Sequence, residues 1–471
     1  MTLIQRPRLR WMIAASWLAL LSGCASAPST AEPAPTPTPA PAPAPTPAPA
    51  PDAGGTPRST PVAETPSAPD PVFGFTSSGD PRIDDWRSDF AARSVASGRS
   101  KAAVTAILSD LSPLSLYLGN EASIARSGIN DQAEFAKPIW EYLSSAVSEG
   151  RKTTGAEKLA ETPGLFDGLE ARYGVDREVL VAIWGMETNF GGFIGVNDAA
   201  NALSNMAVEG RRQSFAEGEL TALMKLVEMG LVTRANLVSG WAGAMGQTQF
   251  MPSTYLAHAE DFEGDGLKDV WNNPADALAS AANYLAISGY RSGQPWGIEV
   301  STPPNFDFAI ANGERRDMAF WEATGIAPTR GGPFQTGGAS AAELWLPAGA
   351  DGPKFLLFEN FDVFKTYNRA DSYALAVGLL SDGVGGQDNP LTPWPTDIQL
   401  LSVAEIKELQ AGLNTLGYDA GTVDGIAGRG TKGALQRFQK ARGFAADGFP
   451  NKIMLAYVLG DTSGGSLQTS R

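Results

Sequence analysis

Residues 27–57 read APSTAEPAPTPTPAPAPAPTPAPAPDAGGTP, a Pro/Ala/Thr tract almost without apolar bulk. Such a segment cannot bury enough surface to offset the entropy of ordering, so it is expected to stay disordered and extended. In polyproline II form, at ~3.1 Å per residue, residues 25–70 reach on the order of 100–140 Å. The tract therefore divides the chain: whatever folds must lie beyond about Phe73, and whatever precedes it is held at the far end of a tether.

Before the tract, Arg6, Arg8 and Arg10 lead into the apolar run Trp11–Leu21, followed by LSGC at Leu21–Cys24. A charged start, a short apolar stretch and small residues describe an export signal over residues 1–23. The apolar run is too short to span a bilayer comfortably. Cys24 is the only cysteine among 471 residues, so no disulfide within the chain is possible. LSGC resembles the lipobox of bacterial lipoproteins, which implies cleavage before Cys24 and its acylation. Each buried methylene contributes ~0.8 kcal/mol, so two or more acyl chains would anchor the protein firmly. Ala25, in place of Asp, implies the periplasmic face of the outer membrane, and residues 24–72 become a lipid-anchored linker.

Beyond the linker the chain is long enough for one large domain, 73–392, and a small one, 398–460. LTPWPTD at 391–397 marks the boundary, and residues 461–471 read as a flexible tail. The balance of 36 basic against 51 acidic residues, a net charge of −15, argues against nucleic acid as a partner. DPRIDDWRSDFAARSVASG, KAAVTAILSDLSPLS, RQSFAEGELTALMKLVEMG, NPADALASAANYLAISGY and NRADSYALAVGLLSDGV carry apolar residues at helical spacing. Strand signals are sparse: PKFLLF at 353–358 is the best, and TPPNFDFAIANG is a candidate second extended piece. The fold class is mainly α, as α+β with a small β element.

One helix breaks the usual division of labour. In VAIWGMETNFGG, residues 181–192, Leu180, Ile183, Trp184 and Glu187 fall on one face, with Asp176 as N-cap and Gly191-Gly192 as the stop. Glu187 thus shares an apolar stripe, where low dielectric disfavours the charged carboxylate and suits a general acid. Taken alone, the helix leaves two readings open: a catalytic acid, or a helix-end Glu bonded to local backbone or an Arg. A second constellation, SGWAGAMGQTQFMPSTY at 239–255, sets three glycines before two glutamines. The glycines let backbone approach a ligand closely, and the amides suit hydroxyl and N-acetyl groups.

WGMETNFG and GWAGAMGQTQFMPSTY together resemble the membrane-bound lytic murein transglycosylase B family, over roughly residues 80–390. The resemblance implies a lysozyme-like catalytic core with an additional helical lobe, and cleavage of peptidoglycan glycan strands with no catalytic cofactor. It makes Glu187 the acid/base, lines the sugar groove with Gln249, Tyr284, Tyr367, Asn368 and Tyr373, and sets Arg211 and Arg212 near the muramoyl peptide side. Gly240 and Thr248 depart from the family, which commonly has Ser and Gly there.

The implied reaction cuts the β-1,4 bond between N-acetylmuramic acid and N-acetylglucosamine. Ordinary glycoside hydrolases need two carboxyl groups. Here the muramoyl C6 hydroxyl would attack, giving a 1,6-anhydro end, and one carboxyl suffices. Asp198, Glu209 and Glu217 are candidate second acids by proximity, so muramidase-type hydrolysis stays the alternative, alongside a non-catalytic wall-tethering lipoprotein.

DFEGDGLKDVWNNPAD at 261–276 places acids at loop positions 1, 3, 5 and 9 with Gly266 at 6, the EF-hand spacing, but Asn272 stands where Glu is usual. The residues alone leave a metal site and a solvated turn equally open. The family carries an EF-hand-like loop here. The resemblance implies a structural Ca²⁺ held by Asp261, Glu263, Asp265, the Leu267 carbonyl and Asp276, with one extra residue before Asp276.

In the small domain, Ile406, Leu409, Leu413 and Leu416 trace one helical stripe, and Ala434, Leu435, Phe438 and Gln439 another, on a helix opened by Thr431. VDGIAGRGTKGALQRFQ resembles the three-helix peptidoglycan-binding domain of cell-wall enzymes.

Overall fold

A computed structural model of the chain describes residues 73–119, 138–388 and 390–460. The export signal, Cys24, the whole linker and the tail 461–471 lie outside the described residues. Local rules set the helix starts. Asp80 accepts the Arg82 amide ahead of Pro81–Ala96, Ser100 caps Lys101–Leu108, and Asn273 caps Pro274–Ile287. The first and third of these helices open on proline, whose missing N–H is no loss in the first turn.

Two apolar cores build the large domain. One gathers around Arg177–Thr188, packed by Pro163–Tyr173, Pro274–Ile287 and Asp371–Val384. The other joins Pro81–Ala96, Lys101–Leu108, Ala199–Glu209 and Gln213–Glu228. Tyr367 packs against both, so the seam between the cores is aromatic.

A two-stranded ribbon, β1 (Asn197–Asp198) with β2 (Val238–Ser239), precedes an antiparallel sheet of order β4-β6-β7-β3-β5. Its strands are β3 (Gly297–Ser301), β4 (Arg315–Asp317), β5 (Ala327–Pro328), β6 (Ala341–Trp345) and β7 (Phe355–Leu357). PKFLLF supplies β7. TPPNFDFAIANG is not extended: Asp307 accepts the Ala309 amide and winds Phe308–Ile310 into a 3₁₀ turn. β6 alternates in burial along AAELW, a period-2 pattern too short to stand out in sequence. Trp321 is fully buried under the sheet and donates its indole N–H to the Ala342 carbonyl at 2.9 Å.

The small domain is three helices, Val403–Thr415, Arg429–Arg442 and Lys452–Leu459, around Leu409, Leu413, Leu435 and Phe438. Ser402 and Glu405 form a capping box at its start. The second helix opens at Gly428, three residues before Thr431; the Thr431 hydroxyl is instead buried and accepts from Gln410. Leu416 is 44% exposed, so the first helix buries a shorter stripe than its sequence suggests. The domain is tied to connections beside the sheet: Asp447 accepts the Ala350 amide at 2.8 Å, and Lys440 pairs with Asp307 at 2.8 Å.

Candidate active site

Leu180 and Ile183 are fully buried and Trp184 nearly so, while Glu187 on the same face is half-buried. Burying such apolar side chains contributes about 1.5–3 kcal/mol each, which fixes the helix and with it the direction of Glu187. Asp176 stands at the N-cap position as expected, but its side chain makes no cap bond. Its carboxylate accepts the Tyr290 hydroxyl at 2.9 Å, and Glu170 takes the first-turn amide of Arg177 instead. The helix ends at Thr188, before the two glycines, with Asn189 and Phe190 in the left-handed region. The Phe190 ring, edge-on to Trp184 at 5.8 Å, folds back so closely that a Cβ on Gly185 would lie 2.8 Å from it. That buried contact offsets the cost of the unusual backbone. Gly191 is needed all the same: its φ is +77°, and a Cβ there would sit 2.5 Å from the Gln247 side-chain oxygen.

Two helices meet at the acid. Tyr373, on Asp371–Val384, donates its hydroxyl to a Glu187 carboxylate oxygen. Burial, then the neighbouring Glu187 charge, pushes the Tyr373 phenol well above its ordinary range, so it stays a neutral donor. Tyr367 is raised by the same two causes. Its hydroxyl is buried and finds no hydrogen-bond partner among the described residues. An aromatic wall continues from it: Tyr284 stands 5.4 Å from Tyr367, Phe250 lies 5.8 Å from Tyr284, and His258 lies 4.9 Å behind Tyr284. The Tyr284 hydroxyl donates to the Thr366 carbonyl at 3.1 Å.

The Gly-rich loop joins this wall through Phe250. Gln249 holds φ +49° and donates to the Gly246 and Ile194 carbonyls at 2.9 and 3.4 Å. A Cβ on Gly240 would lie 2.9 Å from the Gln249 side-chain oxygen, so a side chain there would push Gln249 aside. Thr248 is fully buried and donates to the Ala277 carbonyl at 3.4 Å.

Gln247, one of the two glutamines whose amides suit hydroxyl and N-acetyl groups, is instead the strut of the site. It accepts the Trp184 indole N–H at 3.0 Å, donates to the Trp271 carbonyl at 3.2 Å, and offers its own carbonyl to the Thr188 hydroxyl at 2.6 Å. A spacing of two would put both glutamines on one face of an extended stretch; 246–249 is instead a turn with Gln249 in the left-handed region, so the sequence carries no signal that separates them.

Asn368 turns its side-chain oxygen to the Ala370 amide at 3.0 Å, shaping the entry to the Tyr373 helix. Arg211 and Arg212 lie on an exposed turn; Arg211 pairs with Glu209, and Arg212 covers the Phe215 ring at 4.3 Å. The three candidate second acids are engaged elsewhere. Asp198 caps Ala199–Glu209 and pairs with Arg234 at 2.6 Å, Glu209 pairs with Arg211, and Glu217 binds Trp86 at 3.0 Å and Arg93 at 2.9 Å.

The 261–276 loop is a formed turn. Asp261 accepts the amides of Gly264, Asp265 and Gly266, and Asp265 that of Leu267. Asp276, 1% exposed, accepts the Phe262 and Asp269 amides, and Glu263 accepts from Asn273. Burial raises the Asp276 carboxyl against the pull of those amides, and the like charges of Asp261 and Asp265 add to the rise. The donors are all hard oxygens, which suits calcium. Among the described residues, no three acids, histidines or cysteines are grouped so as to hold a metal ion.

Residues 82–382 match the family described as Transglycosylase SLT domain, and residues 402–456 the putative peptidoglycan binding domain. Membrane-bound lytic murein transglycosylase B of Escherichia coli (strain K12) is 32% identical over 216 residues, 45% of this chain and 58% of that relative. The chain thus aligns with less than two thirds of that protein's length. SltB3 from Pseudomonas aeruginosa, solved in complex with NAG-anhNAM-pentapeptide, is 38% identical, with 80% of this chain and 99% of that one covered and a TM-score of 0.73. Escherichia coli lytic transglycosylase Slt35, solved with calcium, is 26% identical over 65% of this chain and 93% of its own, at a TM-score of 0.53.

Proposed function

The chain belongs to the lytic transglycosylase (SLT) family, and from that premise we propose that it cleaves peptidoglycan glycan strands between N-acetylmuramic acid and N-acetylglucosamine, leaving 1,6-anhydromuramic ends. The observation that carries this reading is the Glu187–Tyr373 pair set in an aromatic-walled groove. Protonated Glu187 gives its proton to the glycosidic oxygen as the bond from that oxygen to C1 breaks. The muramoyl C6 hydroxyl then closes on C1, and its proton passes to the Glu187 carboxylate, which restores the acid. Atoms balance with no water consumed. Ring closure is favoured because an intramolecular nucleophile can act at an effective molarity of ~10⁵ M or more. Tyr373 supports the carboxylate as the proton leaves, and the unpartnered Tyr367 hydroxyl suits a sugar hydroxyl or acetamido oxygen.

The C-terminal domain adds a hold on the wall. In the same reading, acylated Cys24 anchors the chain to the outer membrane from its periplasmic side, with the Pro/Ala tract as tether. No helix of the described residues is long and apolar enough to cross a membrane. Ca²⁺, if held by Asp261, Glu263, Asp265, the Leu267 carbonyl and Asp276, stabilises the turn that carries Trp271 against Gln247. It has no part in bond cleavage.

Glu187→Gln tests the site. The variant should retain binding to purified sacculi and lose release of soluble muropeptides. Release at the wild-type rate would overturn the assignment of Glu187.

A further inference from the structure

Beside the β1–β2 ribbon lie two adjoining cavities of ≈ 310 and ≈ 370 Å³ that share Ala235 and Val238. Both fall in the range of small-molecule sites. We propose that this double cavity is a second saccharide site, taking N-acetylated amino sugars of a glycan strand other than the one being cut. The inference rests on the glycan-cleaving reading above.

The lining carries the chemical argument. Trp271 offers a half-buried indole whose N–H is already bonded to the Val238 carbonyl at 2.9 Å, leaving the ring as an apolar platform. Leu267, 65% exposed, and Ile194 flank it as sites for the CH face of a pyranose or an acetamido methyl. The Asn272 side-chain amide donates to both Asp269 carboxylate oxygens, at 3.2 and 3.0 Å, which leaves the Asn272 side-chain oxygen as an acceptor for a hydroxyl. Lys268 lines the same cavity beside Asp269, so its one ammonium is matched by a carboxylate and the lining has no net positive charge to favour an anionic ligand such as a nucleotide. Apolar surface with a few convergent neutral and acidic polar groups fits a neutral sugar.

The site is joined to the groove through backbone. The Ile194 carbonyl accepts the Gln249 amide, and the Trp271 carbonyl accepts the Gln247 amide. Gln247 in turn holds Trp184 and Thr188 on the Glu187 helix. Two residues that line the cavity, Ile194 and Trp271, are thus hydrogen-bonded to the two glutamines of the Gly-rich loop. A neighbouring strand held there would fix that loop while another strand is cut.

The test is amide hydrogen exchange of the full chain with tri-N-acetylchitotriose. Protection is expected both in the groove, at 245–250, and at 231–240 with 267–272. Ala235→Trp fills the shared part of the cavity from an exposed position. It should abolish protection at 231–240 and 267–272 while groove protection, the check on folding, persists. No protection of those segments in the wild type, or protection that survives Ala235→Trp, overturns the proposal. If sacculi are cut normally, that failure touches only the second site; if they are not cut, the glycan reading itself has failed.

Discussion

Replacing Tyr373 with Phe removes a single hydroxyl from the contact with Glu187. The ring is 5% exposed and embedded in the core around the catalytic helix, so Phe keeps the packing and deletes only the donor. A hydrogen bond to a charged group contributes roughly 1.5–3 kcal/mol. This one is at full strength only once Glu187 has given up its proton, so its loss falls on the transition state more than on the bound substrate. At 1.36 kcal/mol per tenfold, the expected fall in kcat is roughly 10- to 150-fold, with KM nearly unchanged. Glu187 is half-exposed, so water can replace part of the lost bond, which places the effect toward the lower end. For the same reason the folded state should lose less than about 1 kcal/mol. The assay is the rate of soluble muropeptide release from sacculi across a range of sacculus concentrations, with a melting curve in parallel. A kcat within threefold of wild type in a normally folded Tyr373→Phe variant would refute the assigned role.

The small domain should show an acid transition of its own. Lys452, helped by the Ser402 amide and hydroxyl, pulls the Glu405 carboxyl down to about 2. A carboxyl lowered on folding stabilises the folded form above its unfolded pKa, and that contribution fades as pH falls from about 4.5 toward about 2. Lys452→Met should weaken this acid step in melting curves taken from pH 5 to pH 2; an unchanged curve would show that the pair contributes nothing. For the 261–276 loop, millimolar Ca²⁺ should raise Tm and a chelator lower it, because binding to the folded form alone stabilises it. A Tm indifferent to both would remove calcium from the proposal.

Much of this site is legible in sequence where local periodicity governs. Leu180, Ile183, Trp184 and Glu187 sit on one helix face because a helix repeats every 3.6 residues, and burial of the first three follows directly. The helix ends were less legible. Asp176 has the right chemistry for a cap but is drawn to Tyr290, a partner 114 positions away that no local rule reveals. Phe190 takes a left-handed backbone because its ring finds Gly185 and Trp184, a tertiary gain that outweighs propensity. The sheet was legible only at β7, whose three residues are all buried; β4 has two half-buried arginines and an exposed aspartate, and gives no apolar signal. Gln247 was passed over for Gln249 because both look alike in sequence. Only the fold shows that one braces the catalytic helix while the other bonds back to the Gly246 and Ile194 carbonyls.

The most direct test of the central claim is the fate of solvent oxygen. Purified sacculi digested by the wild-type chain in heavy-oxygen water, with products resolved by mass spectrometry, separate the two chemistries available to a single buried-face acid. Intramolecular closure by the C6 hydroxyl predicts 1,6-anhydromuramic ends carrying no heavy oxygen. Reducing muramic ends that have gained one heavy oxygen at C1 would mean that water is the nucleophile, and would contradict it.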